Sequence, residues 1–333
     1  MSEPVTLDQV ARAAGVSRST ASRVINGGVA SAQSVEAVNE AIAELGFVPN
    51  RAARTLARQR TDQVAIVTPE SPAAIFVDPF IAKAIDAISH RLWKAGLQPQ
   101  LALTDPADPI STTKRFLHHS NVDGIMVVHF ILNQHLEELL RELELPIAFV
   151  GRPPKGVDAP YVDADNDNGG YVATKHLLDQ GRRRVACLAG SSTRLAALDR
   201  RAGYLRAHRE AGLRPGPYLE LGFQAAAAGH AAAELLRSDP AVDGVFAQSD
   251  TLAAAALQAA AAAGRRVPED LAVVGYDDSP TATRVVPHLT TVAQPITQLA
   301  LAGADLMVNR LRDGEWGTWP RVFPTTLVIR DSA

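Results

Sequence analysis

From Val64 onward, short β-rich runs alternate with helical segments, and this alternation restricts the chain more than any other feature. Strand candidates fall at Val64–Val67, Gln98–Leu103, Gly124–Val128, Ile147–Val150, Tyr161–Val162, Val185–Leu188, Tyr218–Leu221, Gly244–Ala247, Val273–Gly275 and Thr291–Ala293. Amphipathic or alanine-rich helices separate most of them, beginning near Pro79, Asn168, Asp199, Ala225, Asp250 and Ile296. Such alternation implies parallel sheets covered by helices on both faces. So many strands over ~270 residues exceed one comfortable domain, and two similar α/β lobes are expected. Val122-Asp123-Gly124-Ile125 and Val242-Asp243-Gly244-Val245 echo one another, each opening a buried strand. A final strand is expected over Arg321–Ile329.

The first sixty residues follow a different pattern. Thr6-Leu7-Asp8-Gln9 has the form of a capping box, and Leu7, Val10, Ala11 and Ala14 recur at helical spacing until Gly15. Ser17 can cap a second helix from Arg18 to about Asn26. Two short helices joined by a tight glycine-containing turn make a helix-turn-helix candidate. A third helix runs from about Ala32 to Leu45, its Val35, Val38, Ile42 and Leu45 forming one stripe before Gly46. Pro49 marks a boundary, after which Asn50 can cap a short helix from Arg51 to Ala57. Residues 1–60 carry seven arginines against five carboxylates, whereas the whole chain has a net charge of −3. A basic segment on an acidic body suits phosphate binding at one end. A solvated helix face is the competing reading of the same charges.

Several function classes find no support. The single cysteine, Cys187, lies in an apolar run, which excludes an intrachain disulfide framework or a cysteine zinc site. The N-terminus has neither a basic start nor an apolar h-region, and no stretch reaches the ~18 apolar residues of a membrane span, so a cytoplasmic protein is expected. There is no G-x-G-x-x-G after a strand, no phosphate-binding G-x-x-x-x-G-K and no G-x-S-x-G. His118, His119, His129 and His135 lack carboxylates at ligand spacing and read as solvated or helix-end residues. Asp277 and Asp278 follow a strand. Adjacent carboxylates point apart, but one of them can face a cleft at the carboxyl end of a parallel sheet. Arg200 can face the same cleft or form a surface ion pair.

The segment VTLDQVARAAGVSRSTASRVING, residues 5–27, closely resembles the headpiece of LacI/GalR regulators, and LGFVPNRAARTLA, residues 45–57, resembles their hinge. Residues 162–190, 246–257, 270–280 and 289–295 resemble successive landmarks of the ligand-binding core of that family. The resemblance implies an all-α helix-turn-helix headpiece (1–48), a hinge helix and linker (49–62), and an α/β periplasmic-binding-protein-like core of two doubly wound lobes (63–333). The N-lobe would take 63–160 and 292–319, and the C-lobe 161–289 and 320–333. The partners implied are double-stranded operator DNA and a small-molecule effector. In such proteins the second helix lies in the major groove. Carried over, Arg18 and Ser19 read bases, Arg23 and Ser22 assist, and Thr6, Ser17, Thr20 and Asn26 meet phosphate. Asn50, Arg51, Arg54 and Leu56 match the hinge, with Leu56 at the position of a minor-groove wedge.

For the effector the resemblance implies Asp277 as the residue accepting from ligand hydroxyls, with Arg200, Ser249 and Gln294 beside it and Phe80 as an aromatic wall. Phe223 lies one residue before the position, here Gln224, where the family usually has an aromatic. Gly151, followed by Arg152, stands where a polar or charged residue is usual. Such a cleft suits a sugar or sugar derivative, with a purine or nucleoside as the alternative. Effector binding would change lobe closure and bias hinge folding. No cofactor, metal or catalytic group is implied. With no heptad segment after the last strand, a homodimer is expected rather than a coiled-coil tetramer. A solute-binding protein and a nucleotide-using enzyme are the competing classes.

Overall fold

The computed structural model describes residues 5–26, 28–47, 60–68, 75, 78–103, 105, 108–119, 121–129, 131–222 and 225–333. The chain divides into two compact units, Met1–Thr61 and Asp62–Ala333. Asp62 belongs to the second by its bonds: its N–H donates to Asp123 Oδ2 at 2.8 Å and its carbonyl accepts from Gln98 N at 2.7 Å.

The first unit holds helices α1 (Leu7–Ala13), α2 (Arg18–Ile25) and α3 (Ala32–Leu45). The capping box forms as expected, with Thr6 N donating to Gln9 Oε1 at 2.7 Å and Gln9 N to Thr6 Oγ1 at 3.4 Å. Ser17 and Ser31 cap α2 and α3, and Gly46 closes α3 in the left-handed conformation that favours glycine. Val10, Ala11, Ala21, Val38 and Ala41 form the shared core of this three-helix unit. The expected short helix at Arg51–Ala57 lies outside the described residues.

In the second unit the elements are β1 (Gln63–Val67), α4 (Pro79–Lys94), β2 (Gln98–Ala102), α5 (Pro109–His119), β3 (Gly124–Val128), α6 (Gln134–Glu142), β4 (Ile147–Val150), β5 (Tyr161–Ala164), α7 (Asn166–Asp179), β6 (Val185–Ala189), α8 (Leu195–Glu210) and β7 (Tyr218–Glu220). There follow α9 (Ala225–Ser238), β8 (Gly244–Ala247), α10 (Asp250–Ala262), β9 (Ala272–Asp277), a 3-10 turn (Pro280–Thr283), β10 (Thr290–Ala293), α11 (Ile296–Asp313), β11 (Arg321–Phe323) and β12 (Thr326–Val328). They build two six-stranded sheets of matching order, β2-β1-β3-β4-β5-β11 and β7-β6-β8-β9-β10-β12. All neighbours pair parallel except β12, which runs antiparallel to β10. Helices cover both faces of each sheet, giving two apolar clusters per lobe.

The repeated Val-Asp-Gly has a physical basis in this symmetry. Gly124 and Gly244 open the third strand in the order of their respective sheets, β3 and β8. The preceding aspartates tie down the neighbouring strand's entry: Asp123 accepts from Asp62 N, and Asp243 accepts from Arg183 N and Arg184 N at 2.8 and 2.9 Å. A Cβ on Gly124 would strike the Met307 sulfur, so α11 can pack closely there.

The sheets correct the lobe boundaries by a few residues. Tyr161–Ala164 pairs with β4 and so belongs to the first lobe, not the second. Val292 and Ala293 stay in the second lobe on β10. The expected last strand is two strands, β11 in the first lobe's sheet and β12 in the second's. In each case the chain completes its ladder of backbone hydrogen bonds before crossing, because an unpaired buried strand end would leave polar groups unsatisfied. Pro324 separates β11 from β12, where it donates nothing to either ladder.

Candidate functional site

Two sites emerge, one in each unit. In the three-helix unit, Arg18, Ser19 and Arg23 are exposed and Ser22 is half-buried, while Ala21 is fully buried. At about 100° per residue these four occupy one arc of roughly 140° on α2. Arg18 makes only an exposed contact with Asp8 at 3.4 Å, an ion pair worth little and readily exchanged for another partner. Ser17 Oγ caps α2 by accepting from Thr20 N at 3.1 Å, and it pairs with the hydroxyls of Ser19 and Thr20, each at 2.8 Å. Thr6 serves the α1 cap, and Asn26 closes α2 with its Nδ2 donating to Ser22 Oγ at 3.3 Å. Thr6, Ser17 and Thr20 thus sit at helix N-termini, where backbone N–H groups favour anions, whereas Asn26 is the C-cap of α2. Asn50, Arg51, Arg54 and Leu56 lie outside the described residues.

The second site gathers at the carboxyl ends of the parallel strands, where open α/β sheets leave a crevice. Asp277 ends β9 with φ 105°, and Asp278 follows at φ 50°. Left-handed backbone at two consecutive non-glycine residues costs about 1–3 kcal/mol each, so the turn must be held by its surroundings. Asp250 holds it, accepting from Ser279 N and Thr291 Oγ1, both at 2.6 Å. Asp278 turns away to Arg330 at 2.6 Å, so the adjacent carboxylates do diverge. Asp277 Oδ1 accepts from Gln294 Nε2 at 2.6 Å and lies 3.9 Å from the Arg200 guanidinium. Burial pushes the Asp277 carboxyl well above its ordinary range; Arg200 opposes this, and Asp250 and Asp78 add to it.

Arg200 is not a surface ion pair. It stands in the second turn of α8, 5% exposed, donating through Nε to Asn166 Oδ1 at 3.0 Å and through NH1 to the Gln248 carbonyl at 2.6 Å. Its guanidinium lies 3.7 Å from the centre of the Tyr276 ring, and Tyr276 OH donates to the same Asn166 oxygen at 3.3 Å. Ser249 sits at the site, but its hydroxyl is committed to capping α10 through Leu252 N at 3.2 Å. Gln248 ties the end of β6 to α8, bonding Gly190 N and the Ala197 carbonyl at 3.1 Å each.

The first lobe supplies a wall. Asp78 caps α4 by accepting from Phe80 N at 2.8 Å, and the Phe80 ring meets His129 with centroids 5.7 Å apart. His129 corrects the expectation of a solvated or helix-end histidine: it follows β3 at φ 59° and is shielded in the cleft. Desolvation holds its imidazole below the ordinary pKa; Asp78 pulls upward and Arg200 downward, which places His129 in the field of residues from both lobes. His135 does stand exposed on α6 beside Glu138. Phe223 lies outside the described residues. Asp78, His129, Asn166, Gln248 and Asp250 were missed as site residues. The signal available for His129 was its place directly after a buried strand; the others gave none in isolation. Cys187, as expected, is wholly buried. Among the described residues no His/Cys/Asp/Glu group could hold a metal ion, and no helix is long and apolar enough to cross a membrane.

A family model described as bacterial regulatory proteins of the lacI family matches residues 6–50, and one for a periplasmic binding protein-like domain matches 174–333. The HTH-type transcriptional regulator CelR of Thermobifida fusca is 40% identical over 98% of both chains. The chain belongs to the LacI family. The LacI-family architecture extends over the whole chain: a CelR–cellobiose complex aligns with TM-score 0.75 at 38% identity, covering 99% of this chain and 100% of that one. A lac repressor dimer bound to operator and the anti-inducer ONPF aligns with TM-score 0.86 at 26% identity, covering 99% of each. The repressor PurR of Vibrio atlanticus is 31% identical over 92% of both chains. This LacI-family member is therefore a DNA-binding transcriptional regulator whose helix-turn-helix headpiece is joined to an effector-binding core.

Proposed function

We propose that the chain is a homodimeric cytoplasmic repressor whose operator affinity is set by a carbohydrate, with cellobiose or a closely related oligosaccharide as the effector. The observation that carries the reading is the convergence of Asp277, Gln294 and Arg200 opposite the Phe80–His129 wall. A carboxylate beside an amide and a guanidinium offers an acceptor and donors of the kind that sugar hydroxyls pair with. The aromatic wall offers an apolar surface to the ring's C–H face. The CelR–cellobiose similarity supports the same class. The cleft residues bind and orient; none is assigned a reaction.

Thermal denaturation with cellobiose, other sugars and hypoxanthine tests the effector. A ligand at 100 times its Kd stabilises by about 2.7 kcal/mol, or about 5–10 °C for a core of this size. A shift with hypoxanthine and none with any sugar overturns the carbohydrate reading.

At the DNA end, Arg18 and Ser19 are assigned to bases, Ser22 and Arg23 assist, and Thr6, Ser17, Thr20 and Asn26 position the backbone. The family resemblance supports a hinge in which Asn50, Arg51 and Arg54 meet the DNA and Leu56 enters the minor groove. Arg18→Ala is expected to weaken operator binding by about 1–3 kcal/mol and to relax discrimination at one base pair. Gel-shift titrations on the operator and on base-substituted operators measure it. Equal loss on every sequence would reassign Arg18 to phosphate.

A further inference from the structure

Away from the crossings, the contacts that join the two lobes include three hydrogen-bonded pairs. Arg194 NH1 donates to the His129 carbonyl at 2.9 Å, Leu132 N donates to the Thr193 carbonyl at 2.6 Å, and Arg152 grips Asp199 with one nitrogen at 2.7 and 2.6 Å from its two oxygens. The last of these is an ion pair. Arg152 follows β4 in the first lobe, and Asp199 is on α8 in the second. A second carboxylate waits on Arg152's own lobe: Asp163, on β5, interacts with both Arg152 and Asp199. Asp163 Oδ1 accepts from Ala164 N at 2.9 Å and Asn166 Nδ2 at 3.3 Å. Asn166, at the crossing between the lobes, bonds through its oxygen to Arg200 Nε, and Arg200 faces Asp277. Arg152 acts on Asp163 through its charge and its backbone, and polar contacts continue from Asp163 through Asn166 and Arg200 to Asp277.

We propose that Arg152 is an interlobe latch that pairs with Asp199 when the lobes are closed and with Asp163 when they open, and that Asn166 is the positioning residue linking this exchange to the cleft at Arg200. The arrangement supplies a two-state element that both the hinge and the cleft can bias. Opening separates Arg152 from Asp199 but not from Asp163, so the cation is never left unpaired, and the two states remain close in free energy. The link to an effector rests on the cleft reading above; the latch itself does not.

Proton linkage follows from the geometry. In the closed core, burial and Asp199 push the Asp163 carboxyl up to about 6, against the pull of Arg152. Tyr276, on β9, also senses its charge. Opening hydrates Asp163, removes Asp199 and gives it Arg152, so its pKa falls toward the ordinary value near 4. The closed state then holds more protons. Its advantage is complete below about pH 4 and is lost as pH rises through 6. Between pH 5 and 7.5 the closed-to-open ratio should fall about tenfold through Asp163. Asp277, Asp250 and His129 also titrate at the cleft, so the quantity to read is the difference between wild type and Asp163→Asn.

Spin labels on Lys114→Cys and Ala233→Cys, on exposed faces of α5 and α9, would report the lobe separation in the full chain without ligand. Both helices lie beside the strand edges farthest from the crossings, where opening is largest, and native Cys187 is too buried to label. Asp199→Asn should move the distance distribution toward open about three- to tenfold at pH 5, and Arg152→Lys should restore more closure than Arg152→Gln. Asp163→Asn should flatten the pH response by about tenfold. Asp163→Asn and Asp277→Asn should combine non-additively by more than about twofold in the ratio. Distributions that ignore Asp199→Asn, or a pH response that Asp163→Asn leaves intact, overturn the latch. Strict additivity with Asp277→Asn overturns the link. Failure of cellobiose to bind would overturn the effector assignment and leave these ligand-free results standing.

Discussion

Asp277→Asn should abolish effector binding while leaving the ligand-free protein as stable as wild type or more so. The carboxylate is held in a site that resists its charge: burial raises its pKa, and Asp250 and Asp78 reinforce the shift. Asparagine keeps the shape, keeps an oxygen for Gln294, and tolerates the left-handed backbone that residue 277 adopts. The ligand-free cost of the change is therefore small, and relief of a buried charge offsets it. In the proposed sugar complex Asp277 would accept from two hydroxyls, and losing two charge-assisted hydrogen bonds at about 1.5–3 kcal/mol each would lower affinity by more than about 100-fold. Calorimetric titration together with a ligand-free thermal melt measures both halves. Retained affinity would remove Asp277 from the site. A large fall in the ligand-free Tm would make its role structural.

Gly203→Ala should destabilise the core, whereas Gly229→Ala should stabilise it, although both glycines lie within helices. Helices α7 and α8 meet backbone to backbone. A Cβ on Gly203 would fall on the Asp167 carbonyl, and one on Gly170 would fall on the Arg200 carbonyl. Backbone atoms have no rotamer to yield, so the helices must separate, at about 3 kcal/mol, the upper end for overpacking. Improved helix propensity returns about 1 kcal/mol. The net loss of about 2 kcal/mol lowers Tm by about 4–8 °C. At Gly229 nothing lies within 4 Å of the added carbon, so the propensity gain of up to about 1 kcal/mol is uncompensated. Paired thermal melts decide it; equal shifts would show that α7 and α8 can part freely. Separation would also displace Arg200 from Asn166, so Gly203→Ala should weaken effector binding as well as stability.

Strand positions were legible because buried parallel strands read as continuous apolar runs bounded by turn residues. All ten internal candidates form within a residue or two. The cap at Thr6 and the cap at Ser17 were legible because each is a local contact, closed within three residues. The break in the final strand is not legible locally, because Arg321–Phe323 and Thr326–Val328 carry one continuous β-like pattern but pair with different sheets, and pairing partners lie far away in sequence. The setting of His129 is hidden from the sequence for a similar reason. Its neighbours Phe80 and Asp78 are some fifty residues earlier, and Arg194, which bonds its carbonyl, is some sixty residues later.

The local chemistry is written along the chain: three capped helices on an arginine-bearing N-terminal unit, alternating strands and helices beyond it, and one aspartate placed after a buried strand. Periodicity and capping depend on residues a few positions apart, and these are written along the chain. What Asp277 faces, the pinning of Arg200 by Asn166 and Gln248, and the carboxylate that Arg152 meets on each lobe all arise from the assembled fold. Those relations join residues tens of positions apart through strand order and three crossings between lobes. Burial, which sets the charge each group can carry, arises only once the sheets are assembled.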